Sequence, residues 1–239
     1  MQDFDFARFQ NFAQATFGFT FNNPDLLVMA FTHRSYVNEH KNSVKEHNER
    51  LEFLGDAVLE LAVTEFLYSN YSEPEGILTN WRAALVRTES ISAAAGRLGF
   101  EAMLRLSRGE RQGGERARAQ ILANSFEAVT GAIYLDQGYE VAKNFIHQNI
   151  ISTFAEILNA GSWRDPKSHL QEVIQSGEGQ TPTYRVLSEE GPDHDKVFTL
   201  GVYVGPKLLG QGTGPSKQVA QQVAAERALK HYTKTASHE

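Results

Sequence analysis

The sequence predicts a mainly α protein in two parts, an all-helical N-terminal domain followed by a small α+β domain. Three observations predict this. Apolar residues recur at helical spacing through most of residues 1–160. A short stretch at 161–165, holding Gly161 and Ser162 and leading into Pro166, reads as a linker. Beyond it, over residues 166–235, the pattern becomes helix, three short alternating strands, and helix, which is a compact domain of its own.

The elements follow in order. Residues 4–19 and 23–37 read as helices with aromatic-rich apolar faces, the second opened by Asn23-Pro24-Asp25. Residues 49–71 form a long apolar helix, expected to be buried nearly all round. Residues 76–98 resume the helical period, with Gly99 as a C-cap. Residues 108–115 are a Gly-rich, charged surface loop, and 118–136 and 139–158 are further helices. In the second part, 167–176 is a helix, three strands lie within 182–191, 196–205 and 207–214, and 217–232 is the last helix.

Composition removes several classes of function. The chain has 239 residues, 41% hydrophobic and 22% charged, so it is a folding sequence and not a disordered one. It has no cysteine, which excludes disulfides, thiolate metal sites and a Cys nucleophile. No apolar run is long enough to span a bilayer, and the acidic, aromatic start is unlike a secretion signal. A cytoplasmic protein with no membrane partner is expected. The net charge of −6 argues on its face against a nucleic-acid partner. Its distribution qualifies that: residues 1–165 hold 15 basic and 21 acidic side chains, whereas 166–239 hold 8 of each.

The chemistry concentrates on carboxylates set in apolar helices. Glu49, Glu52 and Asp56 are spaced i, i+3, i+7 and so share one helix face. Glu127 lies in a second apolar helix, with Asn124 three residues before it, and Glu75 follows the first helix. Such acids need cations or hydrogen-bond donors. An oxygen-only ligand set suits Mg²⁺, with Mn²⁺ as a substitute, able to activate water against a phosphodiester. The alternative is that these acids pair with Arg50, Arg82 or Arg87, or that some of them face solvent. The lone histidines His33, His40, His47 and His147 show no ligand spacing.

The run Glu49-Arg50-Leu51-Glu52-Phe53-Leu54-Gly55-Asp56-Ala57 resembles the signature of the bacterial ribonuclease III family. Phe31-Thr32-His33-Arg34-Ser35-Tyr36, Glu75-Gly76, Arg108-Gly109-Glu110, Ile121-Leu122-Ala123 and Phe126-Glu127-Ala128 match in the family's order. The resemblance implies metal-dependent hydrolysis of double-stranded RNA to 5′-phosphate and 3′-hydroxyl ends, as in processing of ribosomal RNA precursors. It implies a homodimer whose two subunits form one cleft, with Phe53 and its apolar neighbours in the subunit contact. Glu52, Asp56 and Glu127 would be metal ligands, Asp56 and Glu127 serving the chemistry and Glu127 the least replaceable. Glu49 and Glu75 match accessory acidic positions. Asn124 stands where many members carry an acid at the metal, so it would offer one neutral oxygen.

The second part resembles a double-stranded RNA-binding domain through Leu170-Gln171-Glu172, Gly191-Pro192-Asp193-His194 and Gly214-Pro215-Ser216-Lys217. By that resemblance Gln171, Glu172 and His194 face minor grooves and Lys217 faces phosphate. Gln218 replaces a frequent second lysine, so weaker and more salt-sensitive binding is expected. Arg105, Arg108, Arg111, Arg116 and Arg118 surround the Gly-rich loop, where a basic loop beside a metal site suits an RNA backbone. The alternative function is a non-catalytic double-stranded RNA-binding protein on the same fold.

Overall fold

The computed structural model describes residues 3–42, 44–161, 163–192 and 196–235. The chain divides into two compact units, residues 1–163 and 164–239.

The first unit is helical: α1 (Asp3–Phe17), α2 (Pro24–Ala30), α3 (Arg34–Glu39), α4 (Glu49–Asn70), α5 (Glu75–Val86), α6 (Thr88–Arg97), α7 (Glu115–Gln137), α8 (Tyr139–Asn149) and α9 (Phe154–Ala160). Three expected helices are each broken in two. The 23–37 segment breaks because Thr32 forms a bridge with Arg105, whose N–H donates to Phe31 O at 2.8 Å. His33 then restarts the helix, its side chain accepting from the Ser35 N–H as an N-cap. The 76–98 segment breaks at Arg87, whose backbone is extended at φ −68, ψ 153. The Ser90 hydroxyl donates to the freed Ala84 carbonyl at 2.9 Å, so the break leaves that acceptor satisfied. The 139–158 segment breaks at Ile150 into a 3₁₀ turn (Ile151–Thr153). Gly99 sits two residues beyond α6 in the left-handed region, at φ 72.

An aromatic core holds these short helices together. Phe9, Phe31, Phe100 and Phe126 are fully buried, and Phe31 and Phe100 meet edge to face at 5.0 Å. The closest helix approach is elsewhere, where α4 crosses α7. A Cβ built on Gly55 would lie 1.7 Å from Glu127 O, and one on Gly131 would lie 2.4 Å from Leu51 O. Backbone therefore touches backbone, and only glycine fits at these two positions.

The long helix α4 is not buried all round. Leu51, Gly55, Val58, Leu59, Ala62, Val63 and Leu67 face the core. Phe53, Leu61 and Tyr68 are 82%, 56% and 81% exposed and share the opposite side. Hydrophobicity marks both sides alike, so the pattern alone did not separate the core-facing side from the uncovered one.

The second unit is α10 (Pro166–Glu178), β1 (Thr183–Glu190), β2 (Val197–Val204), β3 (Lys207–Gly214) and α11 (Lys217–Thr235). The strands form one antiparallel sheet in the order β1-β2-β3. Asp165 caps α10 by accepting from the Ser168 N–H at 2.9 Å, with Pro166 in the first turn. Leu170 and Ile174 of α10, Val202 and Val204 of β2, and Ala224, Ala225 and Ala228 of α11 make its core. Small residues let α11 lie close on β3: a Cβ on Gly212 would meet Ala220 O at 2.3 Å.

Overpacking the crossing is expected to be costly. Gly55→Ala should lower unfolding free energy by about 3 kcal/mol, read from the urea midpoint. Gly96→Ala, with open space around the site, should be neutral or raise stability by up to about 1 kcal/mol. Equal effects of the two substitutions would contradict a backbone contact between α4 and α7.

Candidate metal centre

The α4–α7 crossing sets the positions of the acids. Gly55 is one residue before Asp56 and three after Glu52, and it abuts the backbone of Glu127. Glu52, Asp56 and Glu127 are thereby brought within electrostatic reach of one another. Burial first, then the charges of Asp56 and Glu52, push the Glu127 carboxyl from 4.5 to about 8. Burial also raises Glu52, with Glu49 adding to it, while a hydrogen bond from Asn124 pulls it back.

Among the described residues, no basic side chain forms an ion pair with Glu52, Asp56 or Glu127. Arg82 donates instead to the Thr64 hydroxyl at 3.1 Å. Also among the described residues, no three His, Cys, Asp or Glu side chains are drawn together at chelating distance. The donor set is all oxygen, partly buried and lacking protein cations, and it fits a hard divalent cation.

Other expected site residues are placed differently. Glu49, the first residue of α4, is tied to Arg34 at 3.5 Å, and His47 Nδ1 lies 3.8 Å from its other oxygen. Glu75 opens α5 and is exposed, and it lines a groove of about 490 Å³ with Thr64, Tyr68, Thr79 and Arg82. The groove lies about twelve residues along α4 from Glu52, or roughly 18 Å, so one subunit does not bring Glu75 to the acid cluster. Asn124 joins the cluster, its Oδ1 accepting from Gln120 Nε2 at 2.7 Å. Gln120 drew no attention in the sequence. The available signal was its place four residues before Asn124, on the same helix face.

The arginine cluster divides. Arg105 lies over the Tyr36 ring at 4.4 Å and donates to Thr32, so it belongs to the fold. Arg118 pairs with Glu101. Arg108, Arg111 and Arg116 are exposed on the loop and at the start of α7.

In the second unit Gln171 and Glu172 are exposed on α10. Lys217, the first residue of α11, reaches back to Glu189 at 2.8 Å and lies over the Phe198 ring at 5.4 Å. His194 lies outside the described residues.

Residues 23–154 match the family described as Ribonuclease-III-like, and residues 166–232 match the double-stranded RNA binding motif. Proteins named Ribonuclease 3 are similar along nearly the whole length. The one from Enterococcus faecalis is 47% identical, over 90% of this chain and 93% of its own. The one from Desulforamulus reducens is 45% identical, over 90% of this chain and 87% of its own. A solved nuclease domain of ribonuclease III from Campylobacter jejuni, described as flexible in a region involved in dimer formation, is 37% identical. It covers 58% of this chain and 96% of that one, with a TM-score of 0.52.

The buried acid gives the metal-free protein a pH dependence. The folded chain keeps the Glu127 proton up to about 8, whereas the unfolded chain releases it near 4.5. The stability gained by keeping that proton is full below 4.5 and is lost as pH rises toward 8. The melting temperature in chelator should therefore fall between pH 5 and 8, and Glu127→Gln should flatten the fall. Millimolar Mg²⁺ should restore the wild type at pH 8 and not the variant. A wild-type profile that is flat without metal would contradict the raised Glu127 carboxyl.

Proposed function

This chain belongs to the ribonuclease III family, and from that premise we propose that Glu52, Asp56 and Glu127 hold the divalent cation with which it cuts RNA. It is an endoribonuclease of double-stranded RNA that depends on a divalent metal. We assign Mg²⁺ to that role, with Mn²⁺ as a substitute. The observation that carries the assignment is the cluster of three acids at a glycine-tight helix crossing, with no cation among the described residues paired to them.

A bound divalent cation lowers the pKa of its water and neutralises charge on the scissile phosphate. The protein's part is to hold the acids. Glu127, whose carboxyl burial and the neighbouring acids push to about 8, would hold the cation in its deprotonated form. Asp56 is the exposed acid of the set and presents its carboxylate on the solvent side. Glu52 is half-buried, and burial raises its carboxyl above the ordinary value. No side chain is required as a covalent nucleophile, and the products are 5′-phosphate and 3′-hydroxyl ends, as in maturation of ribosomal RNA precursors.

The working unit is a homodimer. Phe53, Leu61 and Tyr68 make an apolar stripe that one subunit leaves uncovered. The acids of α4 lie between this stripe and the core side of the helix, at the rim of the subunit contact. Glu75 beside Tyr68 is an accessory acid for the shared cleft, and Glu49 is another, steadied by Arg34.

Arg108 of the loop, with Gln171, Glu172, His194 and Lys217 of the second unit, contacts RNA. The second unit reads the shape of the A-form duplex, with Lys217 at the head of α11 taking phosphate. No helix among the described residues is long and apolar enough to cross a membrane. We place the enzyme in the cytoplasm, where its substrates are made.

Cleavage of a long RNA duplex in Mg²⁺ tests the assignment. The wild type should release short duplexes, and Glu127→Gln should bind RNA yet cut at least about 100-fold more slowly. Cleavage by the variant at the wild-type rate removes Glu127 from the site. Binding without cleavage by either protein, in Mn²⁺ as well, favours a binding protein. For Lys217→Ala, RNA affinity should fall alike for all duplex sequences, and the slope of log K against log salt should shrink by about 1. An unchanged slope would remove Lys217 from the phosphate contact.

A further inference from the structure

The lysine read as a phosphate contact is held by an acid of its own chain. Lys217, the first residue of α11, places its Nζ 2.8 Å from Glu189 Oε1, near the end of β1. The same ammonium lies over the Phe198 ring of β2, 5.4 Å from its centroid. Glu189 and Lys217 are both exposed, so a ligand or salt can reach the pair.

The sheet puts the acid there. Glu189 stands opposite Phe198, and Phe198 stands opposite Gly214 of β3, three residues before Lys217. The row ends at the head of α11, and a Cβ on Gly214 would meet the Ala220 N at 2.9 Å. A bulge sets the row. The β1–β2 register slips by one between Val186 and Ser188, with Leu187 as the extra residue. Without it Ser188 would stand opposite Phe198, and Glu189 would turn to the other face of the sheet.

A carboxylate and a phosphate oxygen make the same demand on an ammonium, so one must be given up for the other. The acid is not needed to aim the lysine, because the Phe198 ring attracts the ammonium on its own. We propose that Glu189 competes with RNA phosphate for Lys217 and keeps the RNA affinity of the second unit below what its lysine could give. The proposal rests on the reading of Lys217 as a phosphate contact and adds its internal competitor. Lys217 pulls the Glu189 carboxyl below its usual range, and Lys196 adds a smaller pull. An exposed pair is weak in water and weaker in salt, so the competition changes affinity by a few-fold, most at low ionic strength.

Binding of a short RNA duplex to the full-length protein in chelator, which leaves the duplex uncut, tests this. Glu189→Gln should bind about two- to fivefold tighter than the wild type at low salt. The gap should close as salt rises, so the variant has the steeper slope of log K against log salt. Glu190→Gln removes the same charge from the opposite face of the strand and should gain less. In a Lys217→Ala background, Glu189→Gln should lose most of its gain. Wild-type or weaker binding by Glu189→Gln would overturn the proposal, and weaker binding would make the acid a guide for the lysine. An equal gain from Glu190→Gln, or an undiminished gain without Lys217, would overturn it too, because the charge would then act at large. If Lys217→Ala alone binds like the wild type, the phosphate reading itself fails, and the competition with it.

Discussion

Contact of backbone with backbone where α4 crosses α7 is the constraint on which the functional architecture depends. Gly55 and Gly131 leave no room for a side chain, so the helices lie closer than apolar side chains allow. Residues on either side of Gly55 are then forced against residues around Glu127. An acid on each helix is a surface acid when the helices stand apart. At this separation Glu52, Asp56 and Glu127 become one electrostatic unit.

That unit opposes folding as much as it enables chemistry. Burial and two neighbouring charges drive the Glu127 carboxyl to about 8, and no lysine or arginine among the described residues relieves it by ion pairing. The aromatic packing around Phe31, Phe100 and Phe126 supplies the rigidity that keeps the crossing closed against this repulsion. Contrast Glu65 of α4, which is satisfied by Lys143 at 2.8 Å and Tyr139 at 2.7 Å, both of α8. The chain has the means to neutralise an acid, and at the cluster it does not use them. The same logic extends to Asn124, a neutral group where a fourth charge would deepen the repulsion.

Much of this was legible in the residues. The i, i+3, i+7 spacing of Glu49, Glu52 and Asp56 is a local property of one helix, and so was readable. The strands of the second unit were readable too, because Gly191, Gly205 and the alternation between them mark turns locally. What escaped was non-local. The break at Thr32 depends on Arg105, more than 70 residues away, and the break at Arg87 carries no glycine or proline. The resemblance put Phe53 and its apolar neighbours in a subunit contact, but the residues alone make Phe53, Leu61 and Tyr68 look like core, because hydrophobicity does not say whether the cover comes from the same chain. Gln120 escaped because a polar residue on an exposed helix turn carries no mark of what its amide touches.

The most direct test of this account is a crystal of the full-length protein soaked in Mn²⁺, with an anomalous difference map. The account predicts a peak at the α4–α7 crossing, about 2.1 Å from oxygens of Glu52, Asp56 and Glu127. A map with no peak at that crossing, or with the ion held elsewhere, would contradict the claim that the glycine contact exists to assemble a metal site.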